Sequence, residues 1–286
     1  TGREADYNRA VNRSPPDRTR ERDNHSRLPV PPSGRQVEIS HGEQRTTVVE
    51  VGGGIREYIH GDRDVLHPYP LEAICDGAHG QPLLPWPNRL ADGRYSFEGH
   101  THQLPLTEPE KHNAIHGLLR WRNWDVLERQ AGSVRVGTRL HPCPGWPFTL
   151  EVSILYSLGD DGLTVETRAE NIGDGPCPFG SGQHPYIPPG PSSRVDDCTV
   201  ELSAAVRVLT DPERQLPTGR EPVDGTDYDF RSPRRIGSLE IDHAFTKLTR
   251  DPDGRAWVRC GCPDGRTVKL WADTSYPLIQ IYTADT

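Results

Sequence analysis

Phe148-Thr149-Leu150-Glu151-Val152-Ser153-Ile154-Leu155-Tyr156-Ser157-Leu158, then Asp160-Asp161-Gly162, then Leu163-Thr164-Val165-Glu166-Thr167-Arg168-Ala169-Glu170 reads as strand, turn, strand. β-branched and aromatic residues fill both arms, and an Asp-Gly turn signal separates them. Working outward, the same reading recurs. Thr46–Val51 is a β-branched run stopped by Gly52-Gly53-Gly54, and Ile55–Ile59 alternates before His60-Gly61-Asp62. Tyr95–Phe97 meets a hairpin-like turn at Glu98-Gly99-His100. Short strands also fit Trp124–Glu128, Val134–Leu140, Thr199–Leu202, Thr246–Leu248, Ala256–Cys260, Thr267–Trp271 and Leu278–Thr283. Asp251-Pro252-Asp253-Gly254 and Pro263-Asp264-Gly265 punctuate the last of them. No stretch has a helical period, and no repeat has a fixed one. Many short strands at this spacing predict an all-β fold, an antiparallel sandwich or barrel.

Composition agrees. Gly and Pro number 28 each among 286 residues, which favours turns over long helices. The length suits one large domain or two small ones, and all-β folds often fill it as one. Lys plus Arg is 33 against 41 Asp plus Glu, a net charge of −8. That balance argues against nucleic acid or anionic lipid as a main partner. No run of about 18 apolar residues could span a bilayer, and no apolar leader core opens the chain. The six cysteines form no dense disulfide framework, and Cys260-Gly261-Cys262 is too tightly spaced for usual zinc ligation. Reduced thiols in a cytoplasmic protein are the expected state.

Residues 1–36 differ from the rest. They hold eight Arg, five acidic residues and Pro at 15, 16, 29, 31 and 32. So few large apolar groups cannot offset the entropy of ordering, so a disordered arm is expected there and a folded domain over 37–286.

Four constellations could carry chemistry. In Leu84-Pro85-Trp86-Pro87-Asn88-Arg89 two prolines stiffen a loop that presents an amide and a guanidinium, groups suited to a hydroxyl-rich ligand. The alternative is a rigid turn with Trp86 in the core and Arg89 in an ion pair. In Asn113-Ala114-Ile115-His116-Gly117 the glycine allows backbone to approach a ligand, or the histidine is an ordinary loop residue. Gly180-Ser181-Gly182-Gln183-His184-Pro185-Tyr186 is a shaped loop around a histidine suited to proton transfer, or to a turn. In Leu239-Glu240-Ile241-Asp242-His243-Ala244-Phe245 an acid lies in an apolar stretch, where it accepts from ligand hydroxyls or caps a loop. The pairs His112/His116 and His100/His102 lack the companions of a familiar metal site. Gly52-Gly53-Gly54 lacks the Lys of a phosphate loop, and no nucleophile elbow is present.

Singly these motifs are weak, but their order resembles the aldose 1-epimerase (galactose mutarotase) family from about Val37 to Thr286. The segments that carry the resemblance are Val49–Ile55, Pro85-Trp86-Pro87-Asn88-Arg89 with Asp92-Gly93-Arg94-Tyr95, Ala114-Ile115-His116-Gly117, Gly182-Gln183-His184-Pro185-Tyr186, Asp242-His243-Ala244-Phe245 and Gln280-Ile281-Tyr282-Thr283. The resemblance implies a large antiparallel β-sandwich of the galactose mutarotase type, and interconversion of α and β anomers of free hexoses by acid/base ring opening. It implies no metal and no cofactor, and a small sugar as partner. His184 would be the general acid, His116 a catalytic and substrate-binding histidine near the ring oxygen, and Asn88, Arg89 and Asp242 sugar contacts. The family's general base, a Glu in a Glu-Pro-type segment, would fall beyond Thr286; Glu221-Pro222 is out of order for it. A chain without Met and without that Glu is expected to be truncated and a poor catalyst as it stands, since a positioned base contributes about 10²–10⁴-fold. A non-catalytic sugar-binding homologue is the alternative. Hexose 6-phosphates are a further possibility within the enzyme class, and Arg89, Arg94 and Arg120 near the motifs form no clear cluster in the sequence.

Overall fold

The computed structural model describes residues 30–191 and 193–284. The arm expected over 1–36 lies outside the described residues up to residue 29. The domain begins ahead of Val37: Ser33 is buried, and the Arg35 N–H donates to Glu50 Oε2 at 2.9 Å.

The chain opens with a meander of β1 (Gln36–His41), β2 (Gln44–Val49), β3 (Ile55–His60) and β4 (Arg63–Leu66), each antiparallel to the last. Short elements follow: β5 (Pro82–Leu83), β6 (Arg89–Ala91), the hairpin β7 (Arg94–Phe97) and β8 (His100–Gln103), and β9 (Asn113–Ile115), which pairs with β6. A second meander joins β10 (Asp125–Arg129), β11 (Ser133–Leu140), β12 (Leu150–Gly159) and β13 (Gly162–Asn171). The strand pair that opens the sequence reading is β12 and β13, joined at Gly159↔Gly162.

These two sheets pack face to face. Alternation along β12 sends Leu150, Val152, Ile154, Tyr156 and Leu158 inward, where they meet Val37, Ile39, Val48, Ile55 and Tyr58 of the first sheet. This is the sandwich the strand pattern predicts. The triple glycine has a packing role. A Cβ on Gly53, which has φ +65°, would stand 2.5 Å from the Trp124 ring, and the Gly53 carbonyl accepts the Tyr156 hydroxyl at 2.6 Å.

After β14 (Gly182–Gln183), which pairs with β5, a second core forms. Its strands are β15 (Thr199–Leu202), β16 (Ala204–Thr210), β17 (Pro217–Pro222), β18 (Arg234–Arg235), β19 (Asp242–Leu248), β20 (Ala256–Gly261), β21 (Thr267–Ala272) and β22 (Leu278–Tyr282). They make two four-stranded sheets, β18-β15-β20-β21 and β17-β16-β19-β22. Val200, Leu202 and Val258 of one pack with Ala204, Phe245 and Ile281 of the other. Among the described residues there is no α-helix, only 3-10 turns at Pro109–Lys111 and Val195–Asp197. No described helix is long and apolar enough to cross a membrane.

Ile154 is fully buried at the centre of the first core. Ile154→Ala is expected to cost about 2–5 kcal/mol of stability. Urea unfolding checks this, and an unchanged midpoint would mean the two sheets do not pack through β12.

Candidate active site

Two loops cross to build the site. Leu84 O accepts the Leu118 N–H at 2.7 Å, and a Cβ on Gly117 would lie 1.9 Å from that oxygen, so only glycine fits. Beyond this crossing, β6 and β9 pair Arg89 with Ile115. The peptide bond between Leu84 and Pro85 is cis. Asn88 and His116 both have positive φ, 59° and 61°, in a region non-glycine residues seldom occupy. They hold one another there. The His116 N–H donates to Asn88 O at 2.9 Å, and the Asn88 N–H donates to His116 Nδ1 at 3.0 Å. A backbone donor on Nδ1 makes that nitrogen an acceptor and leaves Nε2 carrying the proton.

His184 arrives from β14. Its N–H donates to Gln81 O at 3.2 Å, and its carbonyl accepts the Gly80 N–H at 2.9 Å. Its ring stands edge-on to His116, centroids 5.5 Å apart at 85°. On the other side it stacks on Tyr186 at 5.0 Å, which in turn stacks on His79 at 4.3 Å. The Tyr186 hydroxyl donates to Gly77 O at 3.1 Å. The imidazole is therefore clamped between rings.

Arg89 forks onto Glu108, Nε to Oε2 at 2.8 Å and Nη2 to Oε1 at 2.9 Å, while Nη1 reaches Asn88 Oδ1 at 3.3 Å. The ion pair weighed for Arg89 thus exists, and it leaves one edge of the fork toward Asn88. Burial pulls the Glu108 carboxyl up, but Arg89, Asn113 and Lys111 outweigh it and hold it below the ordinary range. Asp242 opens β19, with Oδ2 accepting from Gln215 Nε2 at 2.8 Å and Oδ1 from Gln280 Nε2 at 2.7 Å. Both oxygens keep lone pairs for a further donor. Trp86 packs against the first core and against Trp146.

The electrostatics join the five residues. Burial pushes His116 down to about 3, helped by the charges of His184, Arg120 and Arg89. Burial also lowers His184; the charges of His79 and Arg120 act with it, and Asp242 acts against it. In contacts, His116 meets His184 and Asn88, Arg89 meets Asn88, and Asp242 is linked to Arg89 through Gln215, Lys111 and Glu108. Glu221, by contrast, is ion-paired to Arg207 on β16. His112 bonds Asp92 at 2.9 Å, and His102 stacks on Tyr95. Among the described residues no cluster of three or more His, Cys, Asp or Glu could hold a metal ion.

Several supports were not legible. Glu108 and Gln215 come from distant segments with no local signal, whereas Gln280 opens one of the segments that carry the family resemblance. Arg120 did carry one, a cation directly after the apolar pair Leu118-Leu119 and just past His116-Gly117.

Comparison with known proteins shows the family and the fold. The family model described as aldose 1-epimerase matches residues 35–286. YihR of Escherichia coli K12, a protein of uncharacterised function, is 37% identical over 214 residues, covering 74% of this chain and 69% of its own. The galactose mutarotase of Rattus norvegicus is 29% identical, covering 69% of this chain and 60% of its own. The aldose 1-epimerase of E. coli K12 is 26% identical, covering 72% and 63%. The match thus spans less than two thirds of these last two relatives. Among solved structures, the GalM/aldose epimerase homologue of C. elegans superposes with a TM-score of 0.76 at 21% identity, covering 87% of this chain and 81% of that one. A galactose mutarotase-like protein of Clostridium acetobutylicum gives 0.75 at 19%, covering 87% and 80%.

The depressed His116 has a measurable consequence. The unfolded chain takes up a proton near pH 6.5, the folded chain only near 3, so this residue's stability contribution is full above about 6.5 and is lost as pH falls toward 3. By NMR, the His116 ring resonances are expected to stay at their neutral positions between pH 8 and 5. A midpoint near 6.5 would refute the buried, neutral assignment.

Proposed function

The chain belongs to the aldose 1-epimerase family, a family of isomerases, and on that premise we propose that it interconverts the α and β anomers of an aldose such as glucose or galactose. The observation that carries this reading is the edge-on pair of imidazoles, His116 and His184, beside a guanidinium, an amide and a carboxylate.

Ring opening needs a proton on the ring oxygen as its bond to C1 breaks, and loss of the proton from the C1 hydroxyl. His184 is the general acid, held at a fixed angle by the Tyr186 stack. His116 offers Nε2–H toward the same oxygen, because Asn88 occupies Nδ1. Neutral His116 donates a hydrogen bond without competing for the proton that His184 transfers. The free edge of Arg89, with Asn88 beside it, and the carboxylate of Asp242 bind ring hydroxyls. Gln215 and Gln280 preset that carboxylate, which lowers the cost of ordering it on binding. Loss of the C1 hydroxyl proton needs a general base, a role that the family resemblance gives to a Glu in a Glu-Pro-type segment and to none of these five groups. Rotation of the aldehyde carbon and reversal of the proton transfers then close the other anomer. The six free cysteines fit a reducing compartment such as the cytoplasm.

One observation favours a second reading, sugar binding without turnover: Asp242, the carboxylate whose charge acts on His184, already has both oxygens engaged by amides. Polarimetry separates the two. With a general-base Glu in place, the protein is expected to speed mutarotation of glucose or galactose above the buffer rate, and His184→Ala to lower that rate by about 10²–10⁴-fold. Calorimetric sugar binding with no rate above buffer would favour the binding reading, and an unchanged rate in the variant would remove His184 from the mechanism.

A further inference from the structure

Three cysteines gather at one corner of the second core. Cys198 is buried there with Val200 and Leu202 of β15, and Cys260 of β20 packs against the same cluster. Alternation puts Cys262, also buried, on the face of Cys260, two residues further on. The register selects which thiols meet. Val200 stands opposite Cys260, and Thr199 opposite Gly261. Continued by one residue, the pairing sets Cys198 opposite Cys262. The backbone at Cys198 is still extended, with φ −79° and ψ 159°.

Backbone bonds fix the kind of pair. The Cys198 carbonyl accepts the Ile236 N–H at 2.9 Å, on the β18 side of the sheet. The Cys262 N–H donates to Arg266 O at 2.8 Å, on the β21 side. Both residues thus turn their backbone groups away from one another. That is a non-hydrogen-bonded pair, the closer of the two antiparallel kinds, with Cα atoms about 4.5 Å apart. A disulfide needs about 4.4–6.8 Å between Cα atoms. The two thiols also share a cover. Cys198 Sγ donates to Arg194 O at 3.7 Å and Cys262 Sγ to Pro188 O at 3.6 Å, both in the segment that runs from Tyr186 to β15. Cys260 has Val200 across from it, so β15 offers it no thiol.

We propose that Cys198 and Cys262 are an oxidation site, at which a peroxide joins the two thiols in a disulfide between β15 and β20. The step balances. One sulfur attacks the O–O bond and becomes a sulfenic acid, and the leaving hydroxide takes up the thiol proton as water. The second sulfur then displaces the sulfenic hydroxyl, the S–S bond forms, and a second water leaves. Two thiols give up two protons and two electrons, and one hydrogen peroxide becomes two waters. Burial raises both thiols, Cys198 to about 11, so the pair is reduced at rest and answers to peroxide in excess rather than to a trace. The new bond removes the donors to the Pro188 and Arg194 carbonyls, so oxidation acts on the segment that leaves Tyr186.

Treating the folded full chain with excess hydrogen peroxide, alkylating it in denaturant and digesting it without reduction tests this. Of the six free thiols, two are expected to be lost, with a mass decrease of two hydrogens. The linked peptides should be those of Cys198 and Cys262, and dithiothreitol should restore all six thiols. Cys198→Ser should abolish the link, and dimedone should then trap a sulfenic acid at Cys262. The same treatment in urea should scatter links among the cysteines. A first disulfide at any other pair overturns the proposal, as does persistence of all six thiols. A single Cys198–Cys262 link in urea would also overturn it, because the register would then not be what selects the pair. These three outcomes are read on the unaltered chain and do not depend on a variant that folds.

Discussion

The crossing of Leu84 over Gly117 is the constraint on which the site depends. Here two backbones approach closely enough that a single methyl group would strike a carbonyl oxygen. Everything near the imidazoles is registered from that point. Beyond it, Arg89 faces Ile115 across β6 and β9, and Asn88 meets His116. On its other side, the Gly180 N–H donates to Pro85 O at 2.7 Å, which brings in the segment that carries His184. Three loops far apart in sequence are thereby fixed at one place, by backbone hydrogen bonds together with the bond from the Asn88 N–H to the His116 ring. Such an arrangement lets side chains vary in chemistry while the loops keep their geometry.

The left-handed backbone at Asn88 and His116 costs of order 1–3 kcal/mol for each residue. The strain is not relieved locally, since neither residue is glycine, and it persists because the surrounding pairing over-determines it. What the strain supplies is direction. With Asn88 turned this way, its N–H reaches the His116 ring, fixes the tautomer and leaves Nε2 as the donor. The clamp on His184 works by different means, aromatic faces at 5.0 Å and 4.3 Å in a row with His79 and Tyr186. One imidazole is set by a hydrogen bond and the other by stacking, so their mutual angle does not depend on a ligand.

Most of the fold was legible because alternation is a local signal. The strand–turn–strand over residues 148–170 appears as β12 and β13 with its turn in place, and the runs beginning at Val134, Thr199, Ala256 and Thr267 appear as strands close to their expected bounds. The longer strands β1, β16 and β17 escaped notice, as did the short ones β4, β5, β6, β8, β9, β14 and β18. Of these, β17 is Pro-Thr-Gly-Arg-Glu-Pro, with five of its six residues exposed, and carries no strand propensity to read. Its pairing with β16 holds it in register, and that is a tertiary fact. Of the five candidate residues, Asn88, Arg89, His116 and His184 were readable because each lies in or beside a segment shaped by Pro or Gly, and Asp242 because an acid stands in an apolar stretch. Their supports were not, since Glu108 meets Arg89 across 19 positions and Gln215 meets Asp242 across 27. A partner that far away leaves no pattern in either segment.

The distribution of charge follows from that difference between residue and support. Glu108 and Asp242 are both carboxylates in the same region, yet one is neutralised by a fork and the other is held by two uncharged amides. Amides orient a carboxylate without cancelling its charge, so Asp242 keeps a field that favours protonation of His184, whereas Glu108 is silenced by Arg89. Arg120 opposes Asp242 at that same imidazole. The proton affinity of His184 is thus lowered by burial and by the charges of His79 and Arg120, with the charge of Asp242 acting against them. A ring whose protonation rests on such a balance responds to whatever charge a ligand brings beside it, and a ring locked in a conventional ion pair would not.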